Sequence, residues 1–548
     1  MKSQRIRIGM AGKTRSFIGF GLLRLRIMSI AACWIVFALA ILWPAIALVG
    51  ACFAQGAAPA GGFTFTARQV GLLWRSLWLA GVATAACVVI ALPAAFHLGR
   101  SARVTDRPLT LSALLATLLC PPMVYSFGWQ RALPPGFDPY LRCILVWSLW
   151  AWPIPAIIIG AGWARVGRSA FEAALLVTSA ANAFIRVVLP LLLRYVGLSM
   201  MILFVLFFGD YGTPHANGIL VYATELLGWA SDSNHTIDTL WPALLPIGVS
   251  ALALGCAAAL WHHCVIDEEY VEQSLVQHGS RIWQGLVIIS LVLTWFPPMG
   301  ALLTHLGSRG VFLIAIQTYW GDIIITVAVA TAAALVATLA AVGIAVGGRG
   351  RRLALALALL FGALPGAVVG EALIAGYNHP ITAAVYDHWP IVVLAYAARF
   401  GWIGMLASTL IVSGARSIAA DQARTDGASE PAVITHVLLP SQAPLIAGVV
   451  AVSAVLAIGD EAASTLIRIP AFNPIAHVII EKFHRFEDGM LISLSLILVA
   501  AAVGCGVVFF IVQHRRDPDG SVVLFGRRKS APGIKPDATA NTPHHVGG

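Results

Sequence analysis

Long apolar runs, broken only by short polar stretches, set the pattern of this chain. A helix needs about 20 mostly apolar residues to cross a bilayer core. About twelve such runs can be placed, at residues 28–53, 73–98, 109–128, 141–163, 191–210, 240–262, 283–305, 323–347, 353–375, 390–413, 441–467 and 489–513. Runs this long and this uniformly apolar belong to neither a strand nor a helix with one wet face. They predict an all-α polytopic membrane protein. One polar interruption, "DQARTDGASEPAVITHVLLP" at residues 421–440, has the Ala, Val, Ile and Leu content of ordered structure and closes on Leu-Leu-Pro before the next run.

The two halves carry the same landmarks in the same order. "FFGDYGTP" holds Asp210 and "AIGDEAAS" holds Asp460, 250 positions later; "RVVLP" ends at Pro190 and "HVLLP" at Pro440, again 250 apart. "VATAA" begins at Val82 and again at Val329. Near-constant spacing of this kind marks an internal repeat. With about six spans in each half, an even number, the halves run parallel and face each other across a pseudo-two-fold axis, an architecture typical of transporters. The chain then divides into a basic segment (1–27), a first repeat (28–264), a second repeat (265–513) and a polar tail (514–548).

Composition places the chain outside the soluble range: 59% of its 548 residues are hydrophobic, 11% are charged and mean hydropathy is +0.84. A net charge of +10 raises the question of nucleic acid, and its distribution answers it. Lys2, Arg5, Arg7, Lys13, Arg15, Arg24 and Arg26 precede the first run, Arg100, Arg103, Arg107, Arg349, Arg351 and Arg352 fall in alternate loops, and Arg515, Arg516, Arg527, Arg528 and Lys529 follow the last. All fall on one side, which the positive-inside rule makes the cytoplasm, with both termini there. The charge is a topology signal aided by anionic lipid, and no nucleic-acid partner is expected. The first apolar run exceeds the core of a signal peptide and reads as a retained span. Eight cysteines lie scattered without CxxC spacing, as small apolar residues do.

Residues 421–440 and their counterpart "FEAALLVTSAANAFIRVVLP", 171–190, both hold a short helix-capable run, a polar bend and a Leu-Pro exit. Gly427 suits the left-handed residue of a tight helical turn. Proline is tolerated in the first turn of the helix that follows. The second stretch resembles the EAA loop of inner-membrane permeases of binding-protein-dependent ABC importers, whose pattern is Glu-Ala-Ala, three residues, Gly, nine residues, Ile, one residue, Leu-Pro. Asp421, Ala423, Gly427, Val437, Leu439 and Pro440 keep that spacing; the first loop keeps Glu172, Ala173, Ala174 and Pro190, with Thr178 in the glycine's place. Fused double-length permeases of the iron(III) and thiamine type are similar in layout from about residue 28 to 513. "AIGDEAASTLIRIPAF", "FFGDYGTPHANGILVYATELL" and "ALPGAVVGEALIAG" favour the iron(III)-type group. The resemblance implies a bacterial inner-membrane transport subunit, not an enzyme, with coupling helices that seat on a separate ABC ATPase dimer. It also implies an extracytoplasmic solute-binding protein, and ATP bound by the partner so that this chain needs no cofactor. Carboxylates at Asp421 and Glu172 would be favoured at helix N-termini.

Ionisable residues at membrane depth are costly and default to functional candidates. Asp210, Glu371, Arg399, Asp460 and Glu461 qualify as a pathway lining or gate; the competing readings are helix capping by the aspartates and an Arg399–Glu371 pair. "GMAGKTRS" lacks the glycine spacing of a phosphate-binding loop. His262, His263 and Cys264 fan about 100° apart on a helix, so no metal site is expected. The acidic "DEEYVEQ" reads as a linker between halves, and the tail has the composition of disorder. A twelve-span secondary transporter driven by an ion gradient is the alternative reading, its ions carried on the same intramembrane carboxylates.

Overall fold

The computed structural model describes residues 28–55, 62–100, 106–164, 168–232, 236–266, 281–307, 309–414, 418–467, 469 and 473–516. The N-terminal basic segment, the acidic linker and the polar tail beyond Arg516 lie outside the described residues. The protein is an all-α polytopic membrane protein. Eight helices are long and apolar enough to cross a bilayer: α1 (Met28–Ala54), α2 (Ala67–Gly99), α8 (Ala180–Phe208), α11 (Thr236–Trp261), α12 (Arg281–Thr304), α13 (Arg309–Gly347), α17 (Pro390–Thr409) and α22 (Asp488–Val507). Helices α11, α17 and α22 continue beyond those apolar bounds to Ile266, Gly414 and Arg516.

Three of the expected single spans are broken. The pair α3 (Asp106–Leu118) and α4 (Pro122–Ala132) bends by 87°, α5 (Pro139–Ala151) and α6 (Pro153–Ala164) by 45°, and α14 (Arg351–Ala363) and α15 (Gly366–Tyr377) by 113°. The cause is proline. Pro121 and Pro365 have ψ of 133° and 139°, outside the helical range, and stand as the N-caps of α4 and α15. The apolar run at 441–467 holds a shorter apolar helix, Leu445–Ile458, within the longer α19 (430–458).

The expected restart of a helix at each Leu-Pro also fails. Helix α8 passes through Pro190 by widening into a π turn at Phe184–Val188, and α19 does the same at Ile434–Leu438 before Pro440. A proline cannot donate to the carbonyl four residues back and its ring clashes with it; a π turn relieves both. The amide of Leu189 accordingly donates to Phe184 O, five residues back.

Elements recur 250 residues apart. The short helices α7 (Arg168–Leu175) and α18 (Ile418–Thr425), the two π turns, the helices Leu189–Phe208 and Leu439–Ile458, and the short α9 (Gly212–Ala216) and α20 (Ala462–Leu466) all keep that offset. Two further helices, α10 (Tyr222–Asp232) and α21 (Ile475–His484), follow at equivalent places in chain order.

Neither half closes its own core. Helix α1 packs on α15 of the second half and α12 packs on α4 of the first; α22 lies on α3 and α11 on α14. Hydrogen bonds fix both exchanges. Trp43 Nε1 donates to Gly376 O at 2.8 Å and the Tyr377 hydroxyl to Leu39 O at 2.7 Å; at the other exchange, Tyr125 donates to Thr294 O at 2.7 Å and Trp152 to Thr294 Oγ1 at 3.0 Å. Gly128 is required here, because a Cβ would lie 2.7 Å from Pro298 Cβ.

Candidate functional site

Two regions lie at opposite ends of α8 and α19. At a rise of about 1.5 Å per residue, the 29 residues of α8 reach about 43 Å from the loop after α7 to Asp210.

At the Asp210 end the chain gathers its intramembrane charges. Asp210 accepts from Trp147 Nε1 at 2.7 Å, from the Gly212 amide at 3.1 Å and from the Thr213 amide at 3.3 Å. It therefore holds the first two amides of α9, the capping reading set against a gate role. Asp460 takes the Ala463 amide in the equivalent way and lies 3.9 Å from Arg399 Nε. Glu461 is buried, and its Oε2 would lie 2.7 Å from a Cβ on Gly212, so the glycine is what lets the two halves meet there. Asp210, Asp460 and Glu461 all sit within electrostatic reach of one another, and Arg399 within reach of both aspartates.

Arg399 has a second task. A helix that stops inside the protein leaves its last carbonyls without donors. The Arg399 guanidinium donates to Leu364 O and Gly362 O, at the break between α14 and α15. At the matching break in the first half, Trp150 Nε1 donates to Cys120 O at 2.7 Å. The sequence reading missed both caps. Its signal was present: Trp147 and Trp150 precede Tyr396 and Arg399 by the same 249 positions, each pair one helical turn apart.

The Arg399–Glu371 pair does not form. Glu371 lies apart from the cluster, within electrostatic reach of Cys52 on α1 and of Tyr386. A charge beside a broken helix attracts Arg399 more strongly, because there it also satisfies orphaned carbonyls. Among the described residues no three His, Cys, Asp or Glu side chains converge as a metal site.

At the other end lie the two loops. Gly427 has φ of +85°, and Ala428 N donates back to Ala423 O at 2.9 Å, the Schellman closure of a helix. The first loop ends differently: Thr178 N bonds Ala174 O at 3.0 Å, and Val177 has no left-handed backbone. The constant offset corrects the motif pairing. Glu172 matches Gln422, not Asp421; Ala173 matches Ala423, Ala174 matches Arg424, and Thr178 falls opposite Ala428, one place past the glycine. Asp421 does sit in the first turn of α18, paired with Arg424 at 2.8 Å. Glu172 lies beyond the first turn of α7, so the dipole argument does not extend to it. Pro190 and Pro440 follow the π turns, and Leu439 opens the α-helical stretch after the second.

Nothing in this arrangement pairs a nucleophile with a base. What it builds is a clamped, charged closure at one end of two long helices and exposed loops at the other, the layout of a membrane transport subunit. Residues 333–519 match the family model described as "Binding-protein-dependent transport system inner membrane component". The match supports an ABC transporter permease subunit, a transport component and not an enzyme, with an ABC ATPase and the lipid bilayer as its implied partners. It takes in α14 to α22, with the second loop, Arg399, Asp460 and Glu461. No curated protein and no solved structure matches the chain.

Proposed function

We propose that this chain is a fused double-length, two-repeat permease of an ABC importer, carrying a small polar solute into the cytoplasm, with the iron(III)-type group favoured. An extracytoplasmic binding protein delivers the solute, and a separate ATPase dimer supplies the energy and holds the ATP. The repeats run over 28–264 and 265–513, the termini are cytoplasmic and the membrane is the bacterial inner membrane. The observation that carries this reading is the 250-residue recurrence of short helix, turn, π-widened long helix and Gly-Asp end, of which the second copy lies inside the family match.

The mechanism follows from the lever. Each loop sits on the ATPase, and closure of the ATPase dimer tilts α8 and α19 as stiff rods. Their far ends carry Asp210, Asp460 and Glu461, so tilting separates the cluster. Parting a buried ion pair from its partner is expensive, so the closure holds at rest and opens when ATP-driven work is delivered through the loops. Ligand binding then biases two packings of one chain. An ion-gradient carrier would need no ATPase.

The test is purification of the chain from its native membrane in mild detergent, with mass spectrometry of what accompanies it. Expected is a stoichiometric subunit with a phosphate-binding loop, lost when both loops are altered. A chain that returns without such a subunit would overturn the reading and turn attention to Asp210, Glu371, Asp460 and Glu461 as ion carriers.

A further inference from the structure

The two loops occupy equivalent positions but present opposite chemistry. In the first, Leu176 and Val177 are 89% and 88% exposed, with Leu175, Ile185 and Val187 also exposed. At the matching positions in the second stand Asp426, Gly427, Thr425, Thr435 and Val437. Four of the five apolar side chains are thus replaced by a polar group or by none. The helix before the second tip adds an exposed Asp421–Arg424 pair at 2.8 Å, whereas the first has Ala174 where Arg424 stands.

Leu175, Leu176 and Val177 precede the span that begins at Ala180, and side chains this exposed there are out of place unless something covers them, whereas Ile185 and Val187 lie within it. Burying a Leu and a Val is a substantial gain. An exposed ion pair contributes little. The helices flanking the two tips keep one offset, so the difference lies in the tips and in what each meets.

We infer that the two ATPase contacts are unequal: the first loop anchors, by inserting Leu176 and Val177 into an apolar pocket of an ATPase subunit, and the second is a weak polar contact that transmits closure without holding it. This rests on the importer reading. The occupant is an ATPase subunit and not lipid, because the equivalent loop 250 residues on, inside the family match that implies an ATPase, is too polar to enter a bilayer, and α7 and α18 share one place in the order of elements. A single polypeptide carrying both loops also allows the two to diverge, which two copies of one chain could not do.

The experiment uses the full-length chain and the ATPase subunit recovered with it from native membranes. Leu176→Ser with Val177→Ser is compared with Thr425→Ala with Asp426→Ala, reading retained ATPase by quantitative pull-down. Both sets lie on exposed positions, and gel filtration in detergent checks that each chain stays monodisperse. The first pair of changes is expected to lower retention at least tenfold, and the second less than threefold. Equal losses, or a greater loss from the second loop, would overturn the inference while leaving the importer reading intact. An unaltered chain that retains no ATPase would instead overturn the importer reading. As a second readout, an environment-sensitive dye on Val177→Cys should shift to the blue when the ATPase is added; a chain already blue-shifted in empty lipid vesicles would place the loop in the bilayer and sink the anchor.

Discussion

One helical turn separates Trp147 from Trp150 in the first half and Tyr396 from Arg399 in the second, and the two pairs occupy matching places against matching helix breaks. In the first half an indole closes the break, on Cys120 O, and its neighbour holds Asp210. In the second a guanidinium closes it, on Leu364 O and Gly362 O, and reaches Asp460 as well. The requirement common to both is a donor for orphaned carbonyls. Its charge is free to vary. The second half has used that freedom to place its only described cation of the cluster among three carboxylates, so the two halves share a frame and differ in electrostatics.

The largest effect should come from removing that cation. Arg399→Met leaves Asp460 buried without its partner and should cost about 3–5 kcal/mol, read as a fall in the thermal transition of the purified chain. Trp150→Phe strips the equivalent carbonyl of a neutral donor and should cost only about 1–3 kcal/mol. Adding Asp460→Asn to the Arg399 variant should return part of the loss. Equal costs in the two halves, with no recovery in the double variant, would mean that the charge adds nothing beyond the cap.

The loops supply the next contrast. A Cβ on Gly427 would meet nothing within 4 Å, so Gly427→Val is opposed only by its φ of +85°, a backbone penalty of about 1–2 kcal/mol. The strain falls on the turn, not on the core, and solute uptake per ATP hydrolysed should drop while the chain still folds. Val177, at the matching place, has no left-handed backbone, so the first loop offers no equivalent strain site. Normal coupling in the Gly427 variant would remove the glycine from the mechanism.

The exchanged spans should behave alike. Tyr377→Phe and Tyr125→Phe each delete one 2.7 Å hydrogen bond to a carbonyl of the other half's first span, worth about 1 kcal/mol apiece. A several-fold difference between their effects on the thermal transition would show that one seam carries the assembly and the other follows.

The helical class was legible because every apolar run is long and lacks polar alternation, and each falls on helix, in three cases on a bent pair of helices. The breaks were less so. Pro121 and Pro365 lie inside apolar runs, where hydropathy is blind to direction, yet each ends a helix by the local rule that the proline region disfavours continued α geometry. Proline also misled: Pro190 and Pro440 looked like helix starts and turned out to be bridged by π turns, since the flanking residues were apolar enough to keep the rod inside the membrane. Gly427 was legible from its turn chemistry. The exchange of α1 and α12 was not, because packing between two apolar helices leaves no mark in spacing. Of the cluster, Asp210, Asp460, Glu461 and Arg399 stood out by their cost in lipid, whereas Trp147 and Trp150 hid among tryptophans typical of a membrane chain.

A last and smallest effect concerns pH. His215 on α9 and His484 at the end of α21 meet across the halves with their Nε2 atoms 3.0 Å apart, His215 stacked on Tyr211 and flanked by Phe483. Burial, and then His484, lower the His215 pKa from 6.5 to about 4. A separated seam therefore binds the proton more readily than a closed one. The closed contact is fully favoured above about pH 6.5 and loses ground as pH falls towards 4. The neighbouring charges are paired, Arg131 with Asp488, Lys482 with Glu487 and Arg485 with Glu481. Partial exposure limits the effect to below about 1 kcal/mol between pH 7 and 5.5. A cysteine-reactive or fluorescent reporter on the Asp488 end of α22 should show seam opening rise modestly over that interval, and His215→Phe should flatten the profile. A profile unchanged by His215→Phe would assign the pH response to the carboxylate cluster, and with it to the half that carries Arg399.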